Sequence, residues 1–531
     1  MNAVRTALLL GCALAIDVPV YAQHEMHVSS ALTPDSAIAL FDNLGPHSRA
    51  ITTHQPGAQA YFDQGLRLAW GFGMPEAHRS FEAAIRQDST CAMCHWGLAW
   101  SLGPYVNGGM DSISGVRAYD HVQHAKRLAR TGTESERALI DALSVRYVAT
   151  PTRDGRARLD SAYVRAIRNV ALQFPDDLDV ATLYAESLML LRPWDYWTKG
   201  GKPQPGIAEL LRTLEGILAR NVRHPGACHL YIHATEASLE PERAEKCADE
   251  LVDGMPGASH MRHMPSHTYM RIGRYGDGVR SNQLAWIADQ QAEHGGATAI
   301  YPSHNLHMLL FAASYDGQSA VALQAARDLA RLSRPSSYHL PLVLARFGRW
   351  DELLEMTAPA DAPMRQAMLL YGQGLAHVRA VQLTSARMGL AGIDALMRDS
   401  ERKSQRNLLG LARAILAGEI EAADGNHDAA IAILEAARTI ETDSLSYDEP
   451  EDWILPLRQV LGAILLDAGR PADAEAAYRG ELEAHSENGW SLHGLARALR
   501  EQGRVSEADA VTERFRRAWS RADVAIPGSR F

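Results

Sequence analysis

Histidine, cysteine and glutamate recur between Cys91 and His307 at spacings of three and four residues, the separations at which helical side chains stand above one another. His229 and His233 are four residues apart in HLYIH, with Glu236 three further on. His260, His263 and His267 follow in HMRHMPSH, and His304 and His307 in HNLH. Two imidazoles one turn apart can reach a single ion, and imidazole with carboxylate suits Zn, Cu, Fe, Mn or Ni without selecting among them. The glutamate stands at 236 rather than 230, so HLYIH is not the HExxH of a zinc protease.

Register is a stronger signal than density, since nine of 22 histidines within 84 residues is only a modest enrichment. His260, His263 and His267 lie thirteen, ten and six residues before Gly273, and His304 and His307 lie thirteen and ten before Gly317. With Leu239 taken as the equivalent turn position, His229, His233 and Glu236 lie ten, six and three before it. At about 100° per residue these offsets fall within roughly 80° of arc, one stripe of a helix. Three neighbouring helices would then merge their stripes into one patch. Imidazole titrates near neutrality, so members that do not bind an ion could serve as general acid or base, or orient those that do.

A second constellation is Cys91-Ala92-Met93-Cys94-His95. CxxCH in an exported chain is the attachment pattern of covalent haem c, with His95 as iron ligand. With Pro104 as the turn position, Cys91 and Cys94 take the offsets thirteen and ten, and His95 falls one residue off the stripe. A disulfide or redox pair and a soft metal-ligand pair are the competing readings. Cys228 and Cys247 fall on the two helices of one hairpin, where a structural disulfide would contribute about 2–4 kcal/mol.

The elements that must position these residues are repeats. LGAILLDAGRPADAEAAY and LARALREQGRVSEADAVT align at a spacing of 34, matching Gly469 to Gly503 and Ala474 to Ala508. Gly317/Ala322 and Gly425/Ala430 repeat the pair, and YFDQGLRLAWGFGMPEAHRSFEAAIRQD places Gly65, Ala77, Phe81 and Ala84 at matching intervals. From about residue 56 to 518 the chain resembles the tetratricopeptide repeat (TPR), a pair of antiparallel helices. The resemblance implies an all-α, right-handed superhelical solenoid, since one hairpin cannot bury its apolar face alone. It also implies that the first helix of each pair faces the concave groove, where the histidine offsets fall. The motifs CAMCxWG, HLYIH, HMPSH and HNxH are further similar to an uncharacterised group of secreted bacterial TPR proteins. In that group the residue after the second cysteine is often aromatic, so His95 departs from the pattern and the haem reading weakens.

Residues 1–22 read as a signal peptide: Arg5, an apolar run from Ala7 to Ile16, then Val20-Tyr21-Ala22. Export to the periplasm or medium is expected, with lipoprotein anchoring at Cys12 the lesser reading. Residues 23–55 form an N-terminal extension, 56–330 and 331–520 two repeat arrays and 521–531 a tail. No run is long and apolar enough to span a membrane. A net charge of −10 without a block of Lys or Arg argues against nucleic acid as partner. Two turn-rich interruptions, 103–115 and 192–206, carry Tyr105, Trp194, Tyr196 and Trp197, expected to anchor loops rather than to wall a ligand groove. The acidic run from Glu441 reads as a solvated connection. Three functions follow: a transition-metal protein, with or without catalysis; a scaffold whose groove holds a protein or peptide; and a haem electron carrier.

Overall fold

The computed structural model describes residues 38–152, 154–295, 297–359, 361–441 and 449–531; the expected signal peptide and Cys12 lie outside them. Among the described residues the chain is all-α, with two isolated bridges (Tyr105–Gly108 and Trp197–Pro203) and no longer strand. Successive helices pack as antiparallel pairs. Pro56–Trp70 pairs with Met74–Gln87, Pro302–Asp316 with Ser319–Leu332, and Leu457–Asp467 with Pro471–Ala484.

Two sequence devices build the hairpins. The turn glycines adopt the left-handed backbone that L side chains resist, with φ of 79° at Gly273 and 74° at Gly317. In two of the repeats one large ring then fills the space that glycines leave on flanking helices. A Cβ added at Gly65 or Gly97 would come within 2.8 or 2.4 Å of the Phe81 ring. In the C-terminal repeats, Tyr478 stands in the same relation to Gly462 and Gly494, at 2.6 and 2.2 Å.

The apolar core forms two clusters, one running from Leu44 to Tyr269 and one from Met270 to Val511. Both ends of the described chain fold back toward the middle. The N-terminal segment is pinned by Arg49 on Asp177 (2.7 and 2.8 Å), while the backbone and hydroxyl of Thr298 donate to Glu76. At the other end, Trp490 donates to the Ser314 carbonyl and Arg521 pairs with Asp316 at 2.6 Å. The histidine-rich helices Ser259–His263 and Pro265–Arg271 lie where the two clusters meet. Pro265 lacks an amide hydrogen and divides these helices, but Met264 keeps helical dihedrals (φ −50°, ψ −39°), so the stripe continues across the break. Leu239 is not a turn position of the glycine kind: it is exposed, and its helix ends earlier, with Glu236 as C-cap.

The Phe81 contact gives a direct test. Gly97→Ala should destabilise the protein by about 1–3 kcal/mol through overpacking. Urea unfolding measures it, and an unchanged midpoint would contradict the close approach.

Candidate metal centre

Six of the seven stripe histidines come together, in two groups. His229, His233 and His260 offer ring nitrogens within 4.8 Å of one another, and so do His263, His267 and His304. The groups adjoin: the His260 and His263 ring centres are 5.6 Å apart, and those of His233 and His267 are 5.7 Å apart. Glu236 stands between the groups, with Oε2 2.7 Å from His267 Nδ1 and Oε1 3.5 Å from His233 Nδ1, and Glu449 meets the same His267 nitrogen. His307 does not join this patch. One helical turn beyond His304, it turns to His339 and Asp452. Residues three apart on a helix differ by about 60° in direction, enough to put neighbours of one stripe on different targets.

The partners on Nδ1 decide what each ring presents inward. His229 Nδ1 faces the Trp70 carbonyl at 2.5 Å, and a carbonyl can only accept. His263 Nδ1 faces Asn282 Oδ1 at 2.8 Å, the amide's orientation being fixed by donation from Nδ2 to the Gly278 carbonyl. His267 Nδ1 faces the two carboxylates. All three rings therefore carry hydrogen on Nδ1 and direct Nε2 inward as a lone pair when neutral. His229 Nε2 meets His260 Nε2 at 3.1 Å, and His263 Nε2 meets His267 Nε2 at 2.8 Å. Two lone pairs at 2.8 Å, as at neutral His263 and His267, need a proton or a cation between them. Backbone carbonyls and carboxylates behind imidazoles are the outer-shell partners that orient metal ligands.

The walls of the first group are aromatic and strained. Phe72 lies with its ring centre 4.2 Å from that of His229 and 5.5 Å from that of His260. Trp194 stands 4.9 Å from His233, and Tyr301 5.1 Å from His260. Phe72, Trp194 and Tyr301 have φ of 56°, 64° and 57°, three of the five non-glycine residues with positive φ among the described residues. Each such backbone costs on the order of 1–3 kcal/mol, and such strain concentrates at functional sites. Tyr105 completes the wall through a 3.1 Å hydroxyl contact with Tyr301. The two loops thus wall the histidine pocket as well as anchoring themselves, as Trp197 does by donating to the Ala234 carbonyl.

Electrostatics separates the two groups. Burial, then neighbouring imidazoles, push His229 and His233 well below the ordinary histidine range. At His267 burial pulls the same way, but the carboxylates of Glu236 and Glu449 outweigh it and raise the imidazole to about 10. Burial and the facing Glu236 carboxylate push Glu449 up in turn. The described part of the acidic run is therefore no solvated connection: Glu449 reaches His267, Glu451 lies 3.4 Å from His485, and Asp452 accepts from Tyr338. Residues 442–448 lie outside the described residues.

Sequence reasoning missed Glu449, His339 and Asp452, whose positions bear no relation to the turn ruler, and the trio His47, Asp179 and His224. That trio is satisfied without an ion. His224 Nδ1 caps a helix by accepting from the Ala227 amide, and its Nε2 and that of His47 lie 3.2 and 3.0 Å from Asp179 Oδ1. Against the cost of burial, these contacts hold the Asp179 carboxyl well below its usual range. The sulfurs of Cys91 and Cys94 are 2.08 Å apart, and those of Cys228 and Cys247 2.21 Å, both at disulfide distance. His95 turns to His121, with ring nitrogens 3.0 Å apart, and to the His124 ring.

No protein-family profile matches the chain, and no curated protein matches it. Among solved structures, the human IFIT1 dimer with PPP-AAAA is 14% identical over 85% of this chain and 88% of its own, at a TM-score of 0.31. Cut9–Hcn1 from the APC/C hetero-tetramer is 13% identical over 88% of this chain and 76% of its own, at 0.30. The P58(IPK) TPR domain is 12% identical over 84% of this chain and 98% of its own, at 0.21. At such identities and scores the likeness carries no argument. The description as an all-α solenoid of TPR-like hairpins rests on the chain's own helix pairs and turns.

Metal-free protein should hold His267 as an imidazolium at pH 8, while His229 and His233 stay neutral down to pH 6. A folded-state value raised to about 10 means that the stabilisation from this proton is complete below about 6.5 and is lost as pH rises through 10. Long-range ¹⁵N–¹H spectra of the histidine rings report both states; a neutral His267 at pH 8 would contradict the carboxylate pairing.

Proposed function

We propose that this is an exported helical-repeat protein whose central histidines hold transition-metal ions in two adjoining three-histidine sites. The observation that carries the proposal is the 2.8 Å approach of His263 Nε2 and His267 Nε2, each with its Nδ1 occupied by a hydrogen-bond acceptor. Burial of so many imidazoles costs solvation that a coordinated cation would replace. Three nitrogen donors per group favour Zn or Cu over oxygen-seeking ions, and leave a coordination position open for water or substrate.

The donor groups also differ in charge. The His229 group sits among Phe72, Trp194 and Tyr301 and meets one carboxylate, Glu236, 3.5 Å from His233 Nδ1, whereas the His263 group carries both Glu236 and Glu449 at its edge. A bound ion would supply Lewis acidity or redox chemistry; the chain's part is to orient the imidazoles, exclude water with aromatic rings and keep a proton on the carboxylate-bound side. Metal entry at the second group must displace the His267 proton, so the carboxylates there set the proton balance of binding.

The second reading, an interaction scaffold, is supported by the TPR-like solenoid, an architecture that presents an extended groove. At the histidines, however, the chain's own Glu449–Asp452 segment already lies over His267 and Tyr338. A peptide docking at this place would have to displace it.

Elemental analysis of protein exported by an expression host decides between the readings. About one or more equivalents of Zn, Cu, Fe, Mn or Ni are expected, falling in His229→Ala and His263→Ala and unchanged in His377→Ala and His427→Ala, which belong to no donor group. Protein that stays metal-free after exposure to these ions would turn the assignment to the scaffold.

A further inference from the structure

His307 left the central patch for a site of its own. Its ring centre lies 4.1 Å from that of His339, which opens the His339–Arg346 helix, and Asp452 closes the group from the far side. The three ligand atoms lie within 4.8 Å of one another and share no residue with the six central histidines.

The surroundings are those of a prepared ligand set. His339 Nδ1 faces the Ser336 carbonyl at 2.9 Å, so it carries the hydrogen and leaves Nε2 as the lone pair. That Nε2 is buried without a hydrogen-bond partner and looks at Asp452 Oδ1 across 3.7 Å, too far for a hydrogen bond. His307 Nε2 is likewise buried and unpartnered. The Tyr338 hydroxyl donates to Asp452 Oδ1 at 2.7 Å, which fixes the carboxylate. The His339 lone pair and the Asp452 carboxylate converge on one gap beside the His307 ring and repel one another unless a cation or a hydrogen stands between them.

We infer that His307, His339 and Asp452 form a separate binding site for a divalent first-row transition ion at the edge of the histidine patch. Two nitrogens and one carboxylate oxygen make a donor set suited to Fe(II), Mn(II), Co(II) or Zn(II). The carboxylate offsets one of the two charges of a divalent ion, which neutral imidazoles alone do not. The Asp452 side chain is 45% exposed, so the remaining coordination positions open toward solvent. Asp452 and Glu449 belong to one short segment, so the same stretch of chain supplies a carboxylate to this site and one to the central patch. The competing occupant of the gap is a proton on His339 Nε2 paired with Asp452.

Co(II) titration of the full-length, chelator-stripped protein, followed by its visible absorption and by equilibrium dialysis, tests the assignment. Asp452→Asn should lose one equivalent of bound Co(II), or bind it more weakly than the roughly 10–100-fold that outer-shell changes cost, with the equivalents lost in His263→Ala still present. His307→Gln should reproduce this loss, which keeps the test decisive if Asp452→Asn does not fold. Unchanged stoichiometry and affinity in both variants, or ¹⁵N spectra showing a His339 imidazolium under saturating Co(II), would overturn the site. Because the central patch is read by different variants, loss of either assignment leaves the other standing.

Discussion

The molecule is organised by the cost of burying imidazole rings whose lone pairs converge. His229, His233, His260, His263 and His267 are almost completely buried, so bulk water cannot solvate their nitrogens. The orientations of His229, His263 and His267 are set from behind, by the Trp70 carbonyl, the Asn282 amide and the Glu236 and Glu449 carboxylates. These acceptors remove one of the two ways in which each ring could satisfy itself. What remains is a row of Nε2 atoms that only protons or cations can reconcile, and the carboxylates on His267 supply the proton that holds the row together in their absence.

Much of the rest of the fold serves that arrangement. Trp70 reaches His229 only because the first hairpin is brought against the Pro225–Thr235 helix. Phe72 is set in the turn after Trp70, in a left-handed conformation that a β-hydrogen-bearing residue adopts at a cost. Its ring touches three imidazoles of one group. Strain at Phe72, Trp194 and Tyr301 is thus spent on a single aromatic-walled pocket, while the second group borders both Glu236 and Glu449. The contrast with the trio around Asp179 is instructive. There the same residue types meet, but a helix amide occupies the lone pair of His224 and a carboxylate its N–H, so the trio braces the N-terminal segment and needs nothing more.

The turn glycines and the Phe81 and Tyr478 pattern are local matters, and local sequence reveals them. A left-handed turn needs glycine within a few residues, and a close helix pair needs small residues at fixed offsets, so both leave a periodic trace. The same ruler put on one stripe the six histidines that the fold brings together, even with Leu239 standing in for a turn glycine, because one-turn spacing holds regardless of how the helix ends. It failed for His307 since a stripe about 80° wide does not say which of two neighbours a side chain will meet.

What the sequence determined by itself was the all-α hairpin architecture and the face on which the histidines stand, both written in intervals of three, four and 34 residues. Only the tertiary structure decided how those histidines divide, which acceptors hold their Nδ1 atoms, and that Glu449 and Asp452 arrive from more than a hundred residues away. Those pairings depend on how far each end of the solenoid curls back onto its middle. That curl is the accumulated sum of many small packing angles, and no short stretch of sequence encodes it.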